Sequence, residues 1–89
     1  MKKSIFSDTY SIFIETLIQI RKDKCILQKD LAEKLEKPQS FISKYESKER
    51  RLDIEEFLII SEAMGVSGKE AFLTAYEKRE SLKVKNEKF

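Results

Sequence analysis

Residues 28–46, QKDLAEKLEKPQSFISKYE, contain two short helical periods separated by an interruption that leaves room only for a tight turn. No other segment restricts the fold of this chain so strongly. Leu31, Ala32 and Leu35 share one face at i, i+1 and i+4, and Glu36-Lys37-Pro38 breaks the period. A second run then turns Ile42 and Tyr45 inward. The spacing predicts helices over about Gln28–Leu35 and Gln39–Glu46, the second leaving Gln39, Ser40, Ser43 and Lys44 on one outward stripe.

The rest of the chain has to supply the core that this pair packs on. With 89 residues and 40% apolar content it can build one small domain. We expect this domain to occupy residues 1–82, followed by a charged tail over 83–89. Six Phe, three Tyr and no Trp, with two Gly and one Pro, argue against barrels, sandwiches and disorder and for an all-α bundle. Tyr10, Phe13, Leu17 and Ile20 recur at helical steps, predicting a first helix over about Asp8–Lys22 capped by Ser7 or Asp8. Asp53-Ile-Glu-Glu56 has the form of a capping box opening a fourth helix, with Phe57, Ile60 and Met64 inward and Gly65 at its end. Ser67-Gly-Lys-Glu70 is a second such box. It opens a fifth helix carrying Ala71, Phe72, Ala75 and Tyr76, which is expected to dissolve into the tail Lys83–Phe89.

Composition excludes several kinds of chemistry. One cysteine, Cys25, permits no internal disulfide, and a lone thiol without histidine offers no ordinary zinc site. No metal, no cofactor and no catalytic residue are expected: there is no glycine-rich phosphate loop and no nucleophile–base spacing. Ser7, Asp8 and Thr9 interrupt the apolar region after Met1-Lys2-Lys3, and no run of about 18 apolar residues follows anywhere. A cytoplasmic protein that does not enter the membrane is the reading.

A net charge of +2 is too small to coat a polyanion, but its distribution is uneven. Residues 37–51 carry Lys37, Lys44, Lys48, Arg50 and Arg51 against Glu46 and Glu49, a balance of +3. Residues 53–76 carry Lys69 against Asp53, Glu55, Glu56, Glu62 and Glu70, a balance of −4. One face should therefore attract phosphates and another repel them. On the basic side, glutamine can bond both N6 and N7 of adenine, lysine can reach O6 and N7 of guanine, and serine hydroxyls serve either. Gln39, Ser40, Ser43 and Lys44 thus suit base edges in a major groove, with Phe41 as a secondary contact. The loop SKERRL, with Lys48, Arg50 and Arg51, is long and charged enough to touch a partner by itself, although a nearby Glu49 or Glu55 could pair with one of them.

Taken together, the order of these elements resembles the phage-repressor and Cro-like (XRE-type) helix-turn-helix regulators of bacteria and phages. The resemblance runs from about Leu17 to Ser67. It is carried by Leu17, Ile20 and Arg21, Ile26-Leu27-Gln28, Leu31-Ala32, Gln39-Ser40-Phe41-Ile42-Ser43 with Glu46, then Arg50, Asp53, Phe57, Ile60 and Ala63-Met64-Gly65-Val66-Ser67. It implies a compact five-helix, lambda-repressor-like DNA-binding domain with the helix-turn-helix in helices two and three. It also implies that Gln28 bonds a phosphate and braces Gln39, that Lys48, Arg50 and Arg51 clamp phosphates, and that Arg21 and Glu46 form a structural ion pair tying helix one to the end of helix three. Three positions depart from the family pattern, since relatives commonly have glycine where this chain has Cys25, Glu36 and Lys48. Those turns are where positive φ, and strain, are expected. Leu27 and Pro38 replace capping hydroxyls.

Double-stranded DNA with a palindromic operator is the expected partner, bound by a homodimer whose surface is expected to include the outward Ile59 with Phe72 and Tyr76, the last two being open to a core reading as well. Two recognition helices would then lie about 34–36 Å apart, one turn of the duplex. The function implied is transcription regulation, as a repressor. The alternative is a protein-interaction module, or an antitoxin-type protein binding a partner such as a toxin, that keeps the helix-turn-helix fold and uses helices four and five.

Overall fold

The computed structural model describes residues 5–85, and the side chains of 9–82. Five helices follow one another: α1 (Ile5–Asp23), α2 (Gln28–Leu35), α3 (Gln39–Glu46), α4 (Ile54–Ala63) and α5 (Gly68–Lys85). Described residues include no strand. α2 packs on α3 and α4, and α1 lies against α3 and α5, so that α3 is held from behind by two elements.

The shared core consists of Ile14 and Leu17 from α1, Leu31 and Ala32 from α2, Ile42 and Tyr45 from α3, and Ile60 and Met64 from α4. Ala71 and Ala75 of α5 are fully buried beside it. Small side chains there let α5 approach its neighbours closely. The expected stripe on α1 needs correcting. Leu17 is central, but Ile14, which falls outside that stripe, is equally buried, while Phe13 is half-buried against Phe57 and Phe72, with ring centroids 5.9 and 5.1 Å away. A helix covered from two sides buries a wider arc than one apolar stripe.

Boundaries differ at both ends of the chain. Ser7 and Asp8 lie inside α1 rather than capping it, because no Gly or Pro interrupts Ile5–Asp23 and nothing stops the helix from extending forward. At the other end α5 continues to Lys85 instead of ending before the tail, and residues 86–89 lie outside the described part. At Asp53 the box is complete: its side chain accepts from the Glu56 N–H at 2.7 Å, and the Glu56 carboxylate accepts from the Asp53 N–H at 3.0 Å. Of the Ser67 box, the half from the Glu70 N–H to Ser67 Oγ is made, at 3.0 Å.

Helices α1 to α4 all end the same way. The N–H groups of Cys25, Glu36, Lys48 and Gly65 reach back three residues, and those of Ile26, Lys37, Glu49 and Val66 reach back five, which is the Schellman pattern. Such a turn requires a left-handed residue. φ is 57° at Cys25, 56° at Glu36, 69° at Lys48 and 84° at Gly65, so glycine occupies only one of these four turns. The other three each hold a side chain in a conformation that costs about 1 kcal/mol. Core burial on both sides of each turn imposes it.

Candidate nucleic-acid interface

α3 is anchored by Ile42 and Tyr45, neither of which reaches solvent, and this fixes which face points outward. Gln39, Ser40, Ser43 and Lys44 are all exposed on the other side. Lys44 has no carboxylate partner among the described residues. Pro38 occupies the position just before α3 with φ −69° and supplies no side-chain cap, so the helix starts on a preset backbone angle alone. Burial pushes the Tyr45 hydroxyl well above its usual range, assisted by the charge of Glu46, so this anchor stays neutral.

Behind Gln39 runs a chain of hydrogen bonds that decides how its amide is turned. Arg21 donates to both oxygens of Glu46, Nε to Oε2 at 2.7 Å and Nη2 to Oε1 at 3.0 Å, and to the Ile26 carbonyl at 2.8 Å. The pair is nearly enclosed, with side-chain exposures of 11% and 9%. Its hydrogen bond raises the Arg21 pKa further above its ordinary value, against the opposing effect of burial. An ionised Glu46 can only accept. It therefore draws the Gln28 Nε2 to Oε1 at 2.9 Å, turning Gln28 Oε1 toward Gln39, whose Nε2 donates to it at 3.3 Å. Among the described residues nothing engages the carbonyl oxygen or the second N–H of Gln39, the two groups needed to bond an adenine edge. Leu27, just before α2, offers no side-chain cap, which leaves the first N–H groups of that helix open to an anion.

The loop after α3 is fastened more tightly than its composition suggests. Lys48 Nζ donates to Glu15 of α1 at 3.0 Å. Arg50 donates to Glu56 twice, at 3.1 and 2.9 Å, and to the Arg51 carbonyl at 3.1 Å. Its partner is neither Glu49 nor Glu55, because the capping box has already folded the Glu56 carboxylate back toward the loop. Arg50 holds that carboxyl below the usual glutamate range, and the Asp53 N–H adds to the effect. Arg51 lies over the Tyr10 ring at 4.2 Å, and Tyr10 Oη accepts from the Leu52 N–H at 3.0 Å. Phe41 is half-buried against Tyr45, with Arg50 at 4.8 Å and Lys37 at 5.3 Å from its ring centroid. Its ring is therefore a platform for cations. Lys37 was expected on this face only as part of the basic segment, and Tyr10, Glu15 and Glu56 were not expected there at all. Of these three only Glu56 carried a local signal, its capping box.

Residues 17–70 match the model of the family described as helix-turn-helix, HTH_3. A solved structure, an XRE-family like protein from Pseudomonas syringae pv. tomato str. DC3000, is similar over 88% of this chain and 90% of its own, with 35% identity and a TM-score of 0.75. The chain belongs to the XRE-type helix-turn-helix family. Comparison with curated proteins finds no match.

This XRE-type chain thus shares its fold with a family of DNA-binding regulators. Away from α3, it exposes apolar side chains on α4 and α5. Ile59 is 45% exposed, Phe72 48% and Tyr76 43%, and the last two rings stack at 6.2 Å. Ile54, Leu58 and Leu73 are exposed as well, and periodicity did not single them out. Among the described residues no group of His, Cys, Asp or Glu could hold a metal, and no helix is long and apolar enough to cross a membrane. Cys25 is an exposed free thiol.

Proposed function

We propose that this protein is a homodimeric, sequence-specific regulator of transcription in the cytoplasm, a repressor that occupies a palindromic operator. Residues 1–82 act as the DNA-binding unit and 83–89 as a charged tail. α3 lies in the major groove, with Gln39, Ser40, Ser43 and Lys44 reading bases and Phe41 beside them. Gln28 and the start of α2 meet one phosphate, and Lys48, Arg50 and Arg51 meet others. The observation that carries this reading is the relay from Arg21 through Glu46 and Gln28 to Gln39. An enclosed ion pair that ties α1 to the end of α3 also orients one exposed amide through Gln28. Selection of binding sites from a random double-stranded DNA pool tests it. Enrichment of a palindrome with half-sites about 10 base pairs apart is expected; recovery of no motif would refute it.

A second reading rests on Ile54, Leu58 and Ile59, which α4 exposes among acidic residues. In it, α4 and α5 bind a protein partner, such as a toxin, instead of a second copy of the chain. Partner binding that survives Gln39→Ala together with Lys44→Ala would favour that reading.

A further inference from the structure

Arg50 is placed in an unusual state for a phosphate-binding side chain, because a carboxylate already occupies it. A guanidinium has five N–H groups in a fixed plane. Three are used: both on Nη1, toward Glu56 and the Arg51 carbonyl, and one on Nη2, toward Glu56. The remaining two, on Nε and Nη2, lie side by side along a single edge. Neither has an acceptor among the described residues, and the side chain is 43% exposed. Phe41 covers one face of the plane, so rotation is restricted from below as well as from the Glu56 side. Glu56 is itself fixed by the capping box, its Oε1 accepting from the Asp53 N–H as well as from Arg50.

We propose that Glu56 is a positioning residue for DNA binding: by gripping one edge of the Arg50 guanidinium it presents the other as a two-pronged fork to a backbone phosphate, while cancelling its charge. This rests on the reading of the chain as a DNA-binding protein. The contact is then geometric more than electrostatic. A charge-assisted fork supplies two parallel hydrogen bonds to phosphate oxygens, whereas a neutral pair displaces few counterions. Arg50 holds the loop to the duplex without adding the salt-dependent attraction that a free arginine brings. Lys44 and Arg51, with no carboxylate partner among the described residues, supply the salt-dependent part.

The test measures affinity for a selected operator duplex across a range of KCl concentrations, using the full chain. The Arg50→Ala/Glu56→Gln double variant replaces one neutral pair by another. It is expected to bind about tenfold more weakly with an unchanged salt slope, and to lose as much on mismatched sites. Glu56→Gln alone keeps an acceptor for the Asp53 N–H but leaves Arg50 charged and loosely held. It should steepen the slope of log K against log salt by about 0.9 and bind more weakly at the high-salt end. Arg50→Lys retains the charge and leaves the capping box untouched, so it carries the test even where the double variant is unstable; the expected result is a loss close to that of removing the arginine. Wild-type affinity in the double variant, near-normal binding by Arg50→Lys, or an unchanged slope in Glu56→Gln overturns the proposal. Failure of the wild-type chain to select any duplex would instead sink the proposed function.

Discussion

The exposed face of α3 and the loop that follows it are neighbours in sequence, and both are basic, yet their side chains are in opposite states. On α3, Lys44 and Ser40 have no side-chain partner among the described residues, and Gln39 is held by one hydrogen bond that leaves its reading edge open. In the loop, every cation is engaged: Lys48 by Glu15, Arg50 by Glu56 and Phe41, Arg51 by the Tyr10 ring. The contrast teaches how one small surface divides its work. On the proposed reading, side chains that match a base edge keep their donors and acceptors open, because a partner already bound would have to be released first, and side chains that fix register are ordered in advance, which reduces the entropy lost on binding.

The sharpest way to break this picture is at the relay that sets the Gln39 amide. Glu46→Ala strands the Arg21 charge in a nearly closed site and releases Gln28, and it should cost about 3 kcal/mol in urea unfolding. A loss under about 1 kcal/mol would mean that the pair behaves as an exposed one. Next in size are the two kinds of contact compared directly. Gln39→Ala or Lys44→Ala should cost about 1–3 kcal/mol on the selected site and relax preference at one base position. Arg51→Ala should weaken binding on all sequences alike and lower the salt slope by about 0.9. If the two sets of variants gave the same pattern, the division between reading and positioning would fall.

Smaller effects sharpen the view of the turns that frame α3. Glu36→Gly replaces an exposed residue at φ 56° and should stabilise the fold by about 1 kcal/mol, seen as a higher melting temperature; destabilisation would show that the turn carries no strain. Smallest is the acid dependence of the loop. Arg50, then the Asp53 N–H, hold the Glu56 carboxyl below its ordinary value of 4.5. The folded value lies below the unfolded one, so this contribution is present above pH 4.5 and is lost as pH falls through the lowered value. The stability gap between wild type and Glu56→Gln should accordingly shrink between about pH 7 and about pH 3. A gap independent of pH would exclude the ion pair as its source.

Much of this molecule is determined locally, and local determinants are what a sequence displays. The bounds of α2 and α3, the capping box at Asp53 and the inward placing of Ile42 and Tyr45 follow from periodicity and from residues within one or two turns of each other. The outward stripe of α3 is legible for the same reason, since a helix with one buried face has only one other. Tertiary structure decided what distance along the chain conceals. Glu15 meets Lys48 across 33 residues, Tyr10 meets Leu52 across 42, and Ile14 rather than Phe13 enters the core because α1 is covered from two sides. Whether a cation is free or already paired depends on which carboxylate the packing brings to it, and no spacing rule records that. The sequence by itself determined which residues lie on the outward face of α3 and in the basic loop; only the packing of α1 and α2 on α3, with α4 beside the loop, decided which of them are held in place and which remain open.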